Sequence, residues 1–420
     1  MNDGMQNTKI INVKVLLISI ITTFFVMERL IIEYIPIAGY FDELFTILCC
    51  FTSIYILFMD EKKLTRNEIA ALIFTALVIV IGLLGNIISG ILGNPFLIVV
   101  DIISTVKIII VYYWILSFKF TREDWDDIIK ILAKWTRLLL LIMFVVCVLA
   151  YTLNLGILGE IRYGIKSYSF LIPSPGNYSK IFYFVIPLLT ADLQYDNNIY
   201  KKAMIAVALL LWVLSMRSRA IAFAVCYVLF AFWFFYLKEK NIKKINVLYL
   251  MPIGIIGLFL GWKQLVFYFT TDTQARSMLL RYSIVTMKEY FPLGSGFGTY
   301  GSDVAKTQYS PLYEQYGFLN VYGIGKSHTD YLNDNYWPMI IGQFGIIGTM
   351  LVIIILFLLY SQMIKTVIQN KYLYFSTFCM MGFLLVSSIA SKSYSEFSMI
   401  PIFLLHGIFV QREKSNIKVT

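Results

Sequence analysis

The chain has 420 residues, of which 59% are hydrophobic and 14% charged, with a mean hydropathy of +0.74 and a formal net charge of +10. A soluble protein averages about 45–50% apolar and about 25% charged residues, so these charges are too few to build a water-soluble shell, and a string of soluble domains is excluded. The positive balance contains no long basic cluster or stripe, which removes nucleic acid as a partner. One all-α polytopic membrane bundle is the expected fold class.

Stretches near the roughly 20 residues that span a bilayer number about twelve: 11–28, 40–59, 68–92, 95–118, 136–155, 179–193, 201–216, 219–237, 245–262, 337–362, 371–389 and 395–411. They are unbroken apolar runs, without the polar–apolar alternation of a membrane barrel, so helices are predicted. Charged residues follow the first of them where a cleavage site would need small ones, and no cleavable signal peptide is expected.

Twelve spans put both termini on one side, and lysine and arginine choose which. Lys9 and Lys14 begin the chain; Arg412, Lys414 and Lys418 end it. Alternate connections carry Lys62, Lys63 and Arg66, then Lys119, Arg122, Lys130, Lys134 and Arg137, then Lys201 and Lys202. The run Lys238, Lys240, Lys243 and Lys244 continues the series, as do Lys365 and Lys371. The opposite short connections are nearly free of positive charge. Both termini are therefore expected in the cytoplasm.

That orientation leaves a large extracytoplasmic loop, 263–337, between spans 9 and 10. A loop so long is uncommon unless it is functional or folded. An amphipathic helix is predicted over 273–290, with Met278, Leu279, Tyr282, Ile284, Val285 and Met287 among charged residues. The glycine-rich turn Pro292-Leu-Gly-Ser-Gly-Phe-Gly-Thr-Tyr-Gly301 follows, then Tyr309, Tyr313, Tyr316 and Tyr322. A second helix is predicted from Ser327, where Ser327 and Asp330 have capping-box spacing. A smaller external loop, 154–178, brings Glu160, Arg162 and Lys166, with Lys180 just beyond it.

The five cysteines all lie in apolar stretches, and two histidines are too few for a multi-histidine metal site. Arg217 and Arg219 sit where the seventh and eighth spans meet. Arginine deep in a span costs about 2.5–3.5 kcal/mol on insertion scales, and two readings stand: both snorkel to headgroup phosphates, or both face the bundle as an anion site. Arg276 and Arg281, five apart on the loop helix, are either solvated surface charges or further walls of one pocket. His328, placed at a helix N-terminus, would stay neutral and could accept a proton; the alternative is a structural histidine. His406 lies inside the last span and reads as a core residue satisfied by a neighbouring helix. Gly294-Ser-Gly-Phe-Gly298 lacks the βαβ context of a nucleotide loop and reads as a compact turn. Asp101 and Lys107, six apart in the fourth span, face different neighbours and keep a proton- or ion-coupled transporter as a rival.

In order along the chain, three signals resemble the bacterial O-antigen ligase and Wzy-type polysaccharide polymerase superfamily. They are Ser218-Arg219-Ala220, an arginine-bearing helix ending in Phe291-Pro-Leu-Gly-Ser-Gly-Phe-Gly298, and Ser327-His328-Thr-Asp-Tyr-Leu332 followed by Gly342-Gln-Phe-Gly-Ile-Ile-Gly348. The resemblance covers about 190–350, and Thr329 stands where the family often has asparagine. It implies a metal- and cofactor-independent glycosyltransferase of the bacterial inner membrane, acting at its outer face on polyprenyl-diphosphate-linked oligosaccharides. Arg217, Arg219, Arg276 and Arg281 would bind the diphosphate, His328 would take the acceptor's proton, and loop tyrosines could stack on sugars. The expected activity is repeat-unit polymerisation for an exopolysaccharide, capsule or O-antigen. The expected partners are lipid-linked oligosaccharides, membrane lipids and a chain-length regulator or flippase of the same pathway. A ligase, a transporter or flippase, and a non-catalytic scaffold are the alternatives.

Overall fold

In lipid every backbone amide must be satisfied within the protein, so apolar runs of span length fold as helices. The computed structural model describes residues 12–59, 64–237, 262, 266 and 274–417. Helix α1 (Val13–Tyr34) leads through a 3₁₀ turn to α2 (Phe41–Met59). Helix α3 (Arg66–Ser89) starts at the capping box of Thr65 and Glu68 and stops at Gly90, whose φ of +63° is left-handed. Asn94 and Pro95 open α4 (Pro95–Ser117), and a second capping box, Thr121 with Asp124, opens α5 (Arg122–Thr152). Helices α6 (Pro175–Asp192), α7 (Ile199–Val213) and α8 (Ser218–Phe232) follow. The loop region holds α9 (Ala275–Glu289), α10 (Asp303–Gln308) and α11 (Pro311–Gln315), and the chain finishes with α12 (Tyr336–Val367), α13 (Lys371–Ser388) and α14 (Ile400–Ile417).

Among the described residues, seven helical stretches are long and apolar enough to cross a membrane: Val13–Tyr34, Pro36–Tyr55, Arg66–Ser89, Pro95–Ser117, Arg122–Thr152, Ser218–Tyr236 and Tyr336–Val367. The sixth, seventh, eleventh and twelfth predicted spans are helices too, but α6, α13 and α14 have 18 residues and α7 has 15, too short or too polar for that standard. The ninth predicted span, 245–262, lies outside the described residues except for Trp262, as do Lys9, Lys62, Lys63, Lys238, Lys240, Lys243, Lys244 and Lys418.

One element departs from an all-helical expectation. Between α5 and α6, β1 (Leu158–Arg162) and β2 (Ile165–Tyr168) form an antiparallel hairpin. Tyr163 and Gly164 both have positive φ, +53° and +80°, the turn geometry that matches strand twist in a two-residue hairpin. A lone hairpin is marginal in water; this one is anchored by buried Tyr168, whose N–H donates to Leu214 O at 2.8 Å and whose hydroxyl donates to Met143 O at 2.7 Å.

The helices alternate in direction, so their ends gather at two poles. At the terminal pole, where α1 begins and α14 ends, charges are paired. Arg137 meets Asp192 at 2.5 Å and Arg412 meets Asp126 at 2.8 Å. Lys201 also reaches Asp192, and Lys414 reaches Glu68 at 2.6 Å. The opposite, loop pole carries the hairpin and the loop region. There the loop has its own core, in which Leu279, Tyr300, Leu312, Tyr313 and Phe318 are buried together.

The glycine turn joins that core to the bundle. Asn86 of α3 clamps it, accepting the Phe297 N–H and donating to Phe297 O, both at 2.8 Å. Ser89 donates to Ser295 O, and Asp101 of α4 accepts the Gly298 N–H at 2.7 Å. On the other side Ser295 and Gly296 donate to Gly342 and Gln343 carbonyls of α12, which is kinked at Gly345 (φ +59°, ψ −160°). Such close approach requires glycine: a Cβ on Gly85 would lie 2.8 Å from the Gly296 nitrogen. Asp101 and Lys107 do face different neighbours, since Lys107 pairs with Asp42 at 2.5 Å.

His406 is a core residue, 1% exposed, beside Tyr360 and Phe403. The expected satisfaction by a neighbouring helix is not found. Both ring nitrogens are buried without a hydrogen-bond partner among the described residues, because the side chains around them are aromatic.

Candidate functional site at the loop pole

The α7–α8 connection is a tight, irregular turn. Met216, 95% buried, takes φ +50°, a left-handed conformation that a bulky side chain rarely adopts. Arg217 caps α8 in extended conformation, and the Ser218 hydroxyl lies 2.7 Å from that of Tyr163 on the β-hairpin. Strained backbone of this kind persists where surrounding structure holds it, often at functional sites.

One turn into the region, Arg219 points at the serine-rich end of α13. Its Nη1 donates to Ser387 Oγ at 3.0 Å, Ser387 O at 3.4 Å and Ser391 Oγ at 3.5 Å. Hydroxyls and a carbonyl do not neutralise a guanidinium, and no carboxylate pairs with Arg219 among the described residues. Ser391 in turn bonds Ser393, and its carbonyl accepts the Tyr336 N–H that begins α12. Trp337 donates to Ser388 at 3.0 Å.

The segment just before α12 receives the second arginine. Arg276 of α9 binds Asp334 at 2.5 Å, half-buried. Lys180 of α6 completes the group. It chelates buried Glu396 with both oxygens at 2.6 Å and lies within electrostatic reach of Arg219 and Asp334. Arg219, Arg276 and Lys180 thus come from distant parts of the chain to one pole, around residues 334–337 and the serines after α13. Arg281 does not join them; it is exposed, because a spacing of five places it on another face of α9.

His328 lies in a different setting from the predicted one. Residues 327–335 contain no helix, and Ser327 with Asp330 forms no capping box. Backbone bonds fold this stretch into turns instead: His328 N–H donates to Gly325 O and Tyr331 N–H to Gly323 O. Helix α12 begins only at Tyr336, after Asn335. The helix-dipole argument for a neutral His328 therefore lapses. The side chain is exposed, with the Tyr322 ring 6.1 Å away and Tyr331 next to that at 6.3 Å. Tyr331 lies within electrostatic reach of Arg276 and Asp334, which links the histidine rim to the arginine group.

The loop tyrosines are corrected as well. Tyr309, Tyr313 and Tyr316 are core, not a sugar platform. Tyr313 Oη accepts the Gly301 N–H, Tyr316 donates to Glu289, and Tyr309 donates to Ile324 O. Only Tyr322 (77% exposed) and Tyr331 (39%) present faces to solvent beside His328. The glycine turn is no anion cradle either, since the amides of 294–298 and 301 are all engaged by protein acceptors.

Sequence reasoning missed Asp334, Ser387, Ser391 and Glu396. The signal was present in Ser387-Ser-Ile-Ala-Ser-Lys-Ser-Tyr-Ser395, a polar run between the last two helices. Among the described residues no group of three His, Cys, Asp or Glu side chains is arranged to hold a metal ion, and the five cysteines form no disulfide. The chain matches no protein-family model and no curated protein sequence.

Proposed function

We propose that this chain is a twelve-span repeat-unit polymerase, with both termini cytoplasmic and the loop pole on the outer face of a bacterial inner membrane. It would move a growing glycan from one polyprenyl diphosphate onto a lipid-linked repeat unit. The observation that carries the reading is Arg219, a half-buried guanidinium held only by neutral groups and grouped with Arg276 and Lys180. A cation so placed suits an anion that gains charge during reaction, and its planar fork suits phosphate.

In the reaction the acceptor hydroxyl oxygen attacks the anomeric carbon of the donor sugar. The bond from that carbon to the diphosphate oxygen breaks, and its electron pair leaves with the diphosphate. Arg219 stabilises the developing charge, with Arg217 beside it and Arg276, released from Asp334, on the far side; preorganised cations act this way in other charge-separating steps. Arg281, on the exposed face of α9, is assigned a lesser part at the rim. The hydroxyl proton passes to a ring nitrogen of His328, and Tyr322 and Tyr331 stack against the acceptor sugar. The side chains a transporter would need in α4 are otherwise occupied, Asp101 by the glycine turn and Lys107 by Asp42.

The test is extension of lipid-linked repeat units by the purified full chain in detergent, without added metal. Stepwise lengthening is expected from the native protein. Lengthening at the native rate by both Arg219→Ala and His328→Ala would overturn the site, and polymer left on its carrier by a chain that transfers only to a lipid-A core would make it a ligase.

A further inference from the structure

Arg29, near the end of α1, belongs to none of the groups above. It lines a narrow, partly open cleft between α1, α6 and the start of α14. Asn177, Lys180 and Ser398 share its polar rim, while Phe25, Phe184 and Phe397 form apolar walls. The guanidinium lies over the Phe397 ring, 4.7 Å from carbon to centroid. Arg29 forms no ion pair among the described residues, and its Nε is buried without a hydrogen-bond partner. Ser398 Oγ, in the same cleft, is likewise buried and unpartnered. The nearby Glu396 carboxylate lies within electrostatic reach of Arg29 but is bound by Lys180, both oxygens at 2.6 Å, and makes no ion pair with the guanidinium.

Two buried donors without acceptors, one of them cationic, call for an anion with several acceptor oxygens. Apolar walls under that cation, at the end of a 22-residue apolar helix, call for a hydrocarbon chain attached to it. A free phosphate would leave the walls unused, and a fatty chain without phosphate would leave the donors unused. We infer that this cleft binds the phosphate-bearing headgroup of a lipid whose chain runs down the seam of α1 and α6. The cleft shares Lys180 with the arginine group, but lipid binding in it does not rest on the polymerase reading.

Native mass spectrometry of the delipidated full chain in detergent tests the site without turnover, so loss of polymerase activity does not affect it. The probes are phosphatidylglycerol, diacylglycerol with the same chains, and inorganic phosphate. Phosphatidylglycerol is expected to be retained, and Arg29→Gln to lower its retention by roughly tenfold, the value of one charge-assisted contact. Arg29→Lys should recover part of it, and Arg162→Gln on the exposed hairpin should change nothing. Equal retention of phosphatidylglycerol and diacylglycerol, or binding of inorganic phosphate alone, overturns the inference. If Arg29→Gln does not fold, Ser398→Ala decides: undiminished retention overturns the site, and a several-fold loss supports it.

Discussion

The two poles of the bundle use the same kinds of side chain differently. At the terminal pole, among the described residues, buried Arg412 takes Asp126 and Glu413, and the half-buried cations have carboxylates too: Arg137 and Lys201 share Asp192, and Lys414 takes Glu68. At the loop pole Lys180, Arg276 and Lys392 are paired in the same way, but Arg219 is met by serines, and Arg29 lies over an aromatic ring. Paired charges fix helix ends in place; a cation left with neutral neighbours retains its attraction for something else. Position in the membrane therefore does not decide an arginine's task; the charge of its partner does.

Removing a paired cation at the terminal pole should have the largest effect on stability. Arg412→Leu leaves buried Glu413 without its cation and half-buried Asp126 with only Arg122 at 3.9 Å, and removal of one partner of a buried pair costs about 3–5 kcal/mol. Thermal unfolding in detergent should fall accordingly, while the specific rate of the folded fraction stays near native. The mirror experiment is Arg219→Ala, which should leave the unfolding temperature nearly unchanged and reduce glycan extension about 10²–10³-fold, the range for loss of one transition-state donor. A variant that instead unfolds early with normal specific activity would make Arg219 an anchor like Arg412.

The joint between loop and bundle comes next. Asn86→Ala removes two buried hydrogen bonds to Phe297 and should cost about 1–3 kcal/mol. Limited proteolysis should then cut within 290–302 well before the helices are attacked. The smallest effect is expected at Lys392 and Asp303, paired at 2.7 Å. Burial alone would raise the Asp303 carboxyl, but the Lys392 ammonium and the Asn333 amide hold it below the usual carboxylate range. A lowered folded-state value means that the pair contributes above the unfolded carboxylate value of about 3.9 and fades as pH falls through the lowered one. Half the Asp303 side chain is accessible, so the pair is worth at most about 1 kcal/mol. Protease resistance of the loop should hold from pH 7 to pH 5, and Lys392→Gln should lower it only slightly.

The helices were legible because lipid leaves the backbone one economical solution, and hydropathy reports it directly. Hydropathy alone sets the fifth span at 136–155 and misses the start of α5 at Arg122, which the Thr121 capping box fixes through polar residues. The same kind of signal misled at Ser327, where Gly323 and Gly325 offered the backbone competing turn bonds. Tyrosine spacing could not separate Tyr313, sealed in the loop core, from Tyr322, open to solvent, since burial depends on how 275–332 folds on itself. The meeting of Arg219 with Ser387 spans 168 positions, and no periodicity encodes such a contact.

The glycine turn has a consequence for how this protein can be divided. Its amides are shared out among α3, α4 and α12, so the segment between Phe291 and Gly301 is as much a part of the bundle as of the loop. The loop cannot be excised as a soluble fragment with its shape intact. A chimera that swaps it for another chain's must carry residues 82–101 and 342–345 along with it, or the two halves of the joint will no longer match.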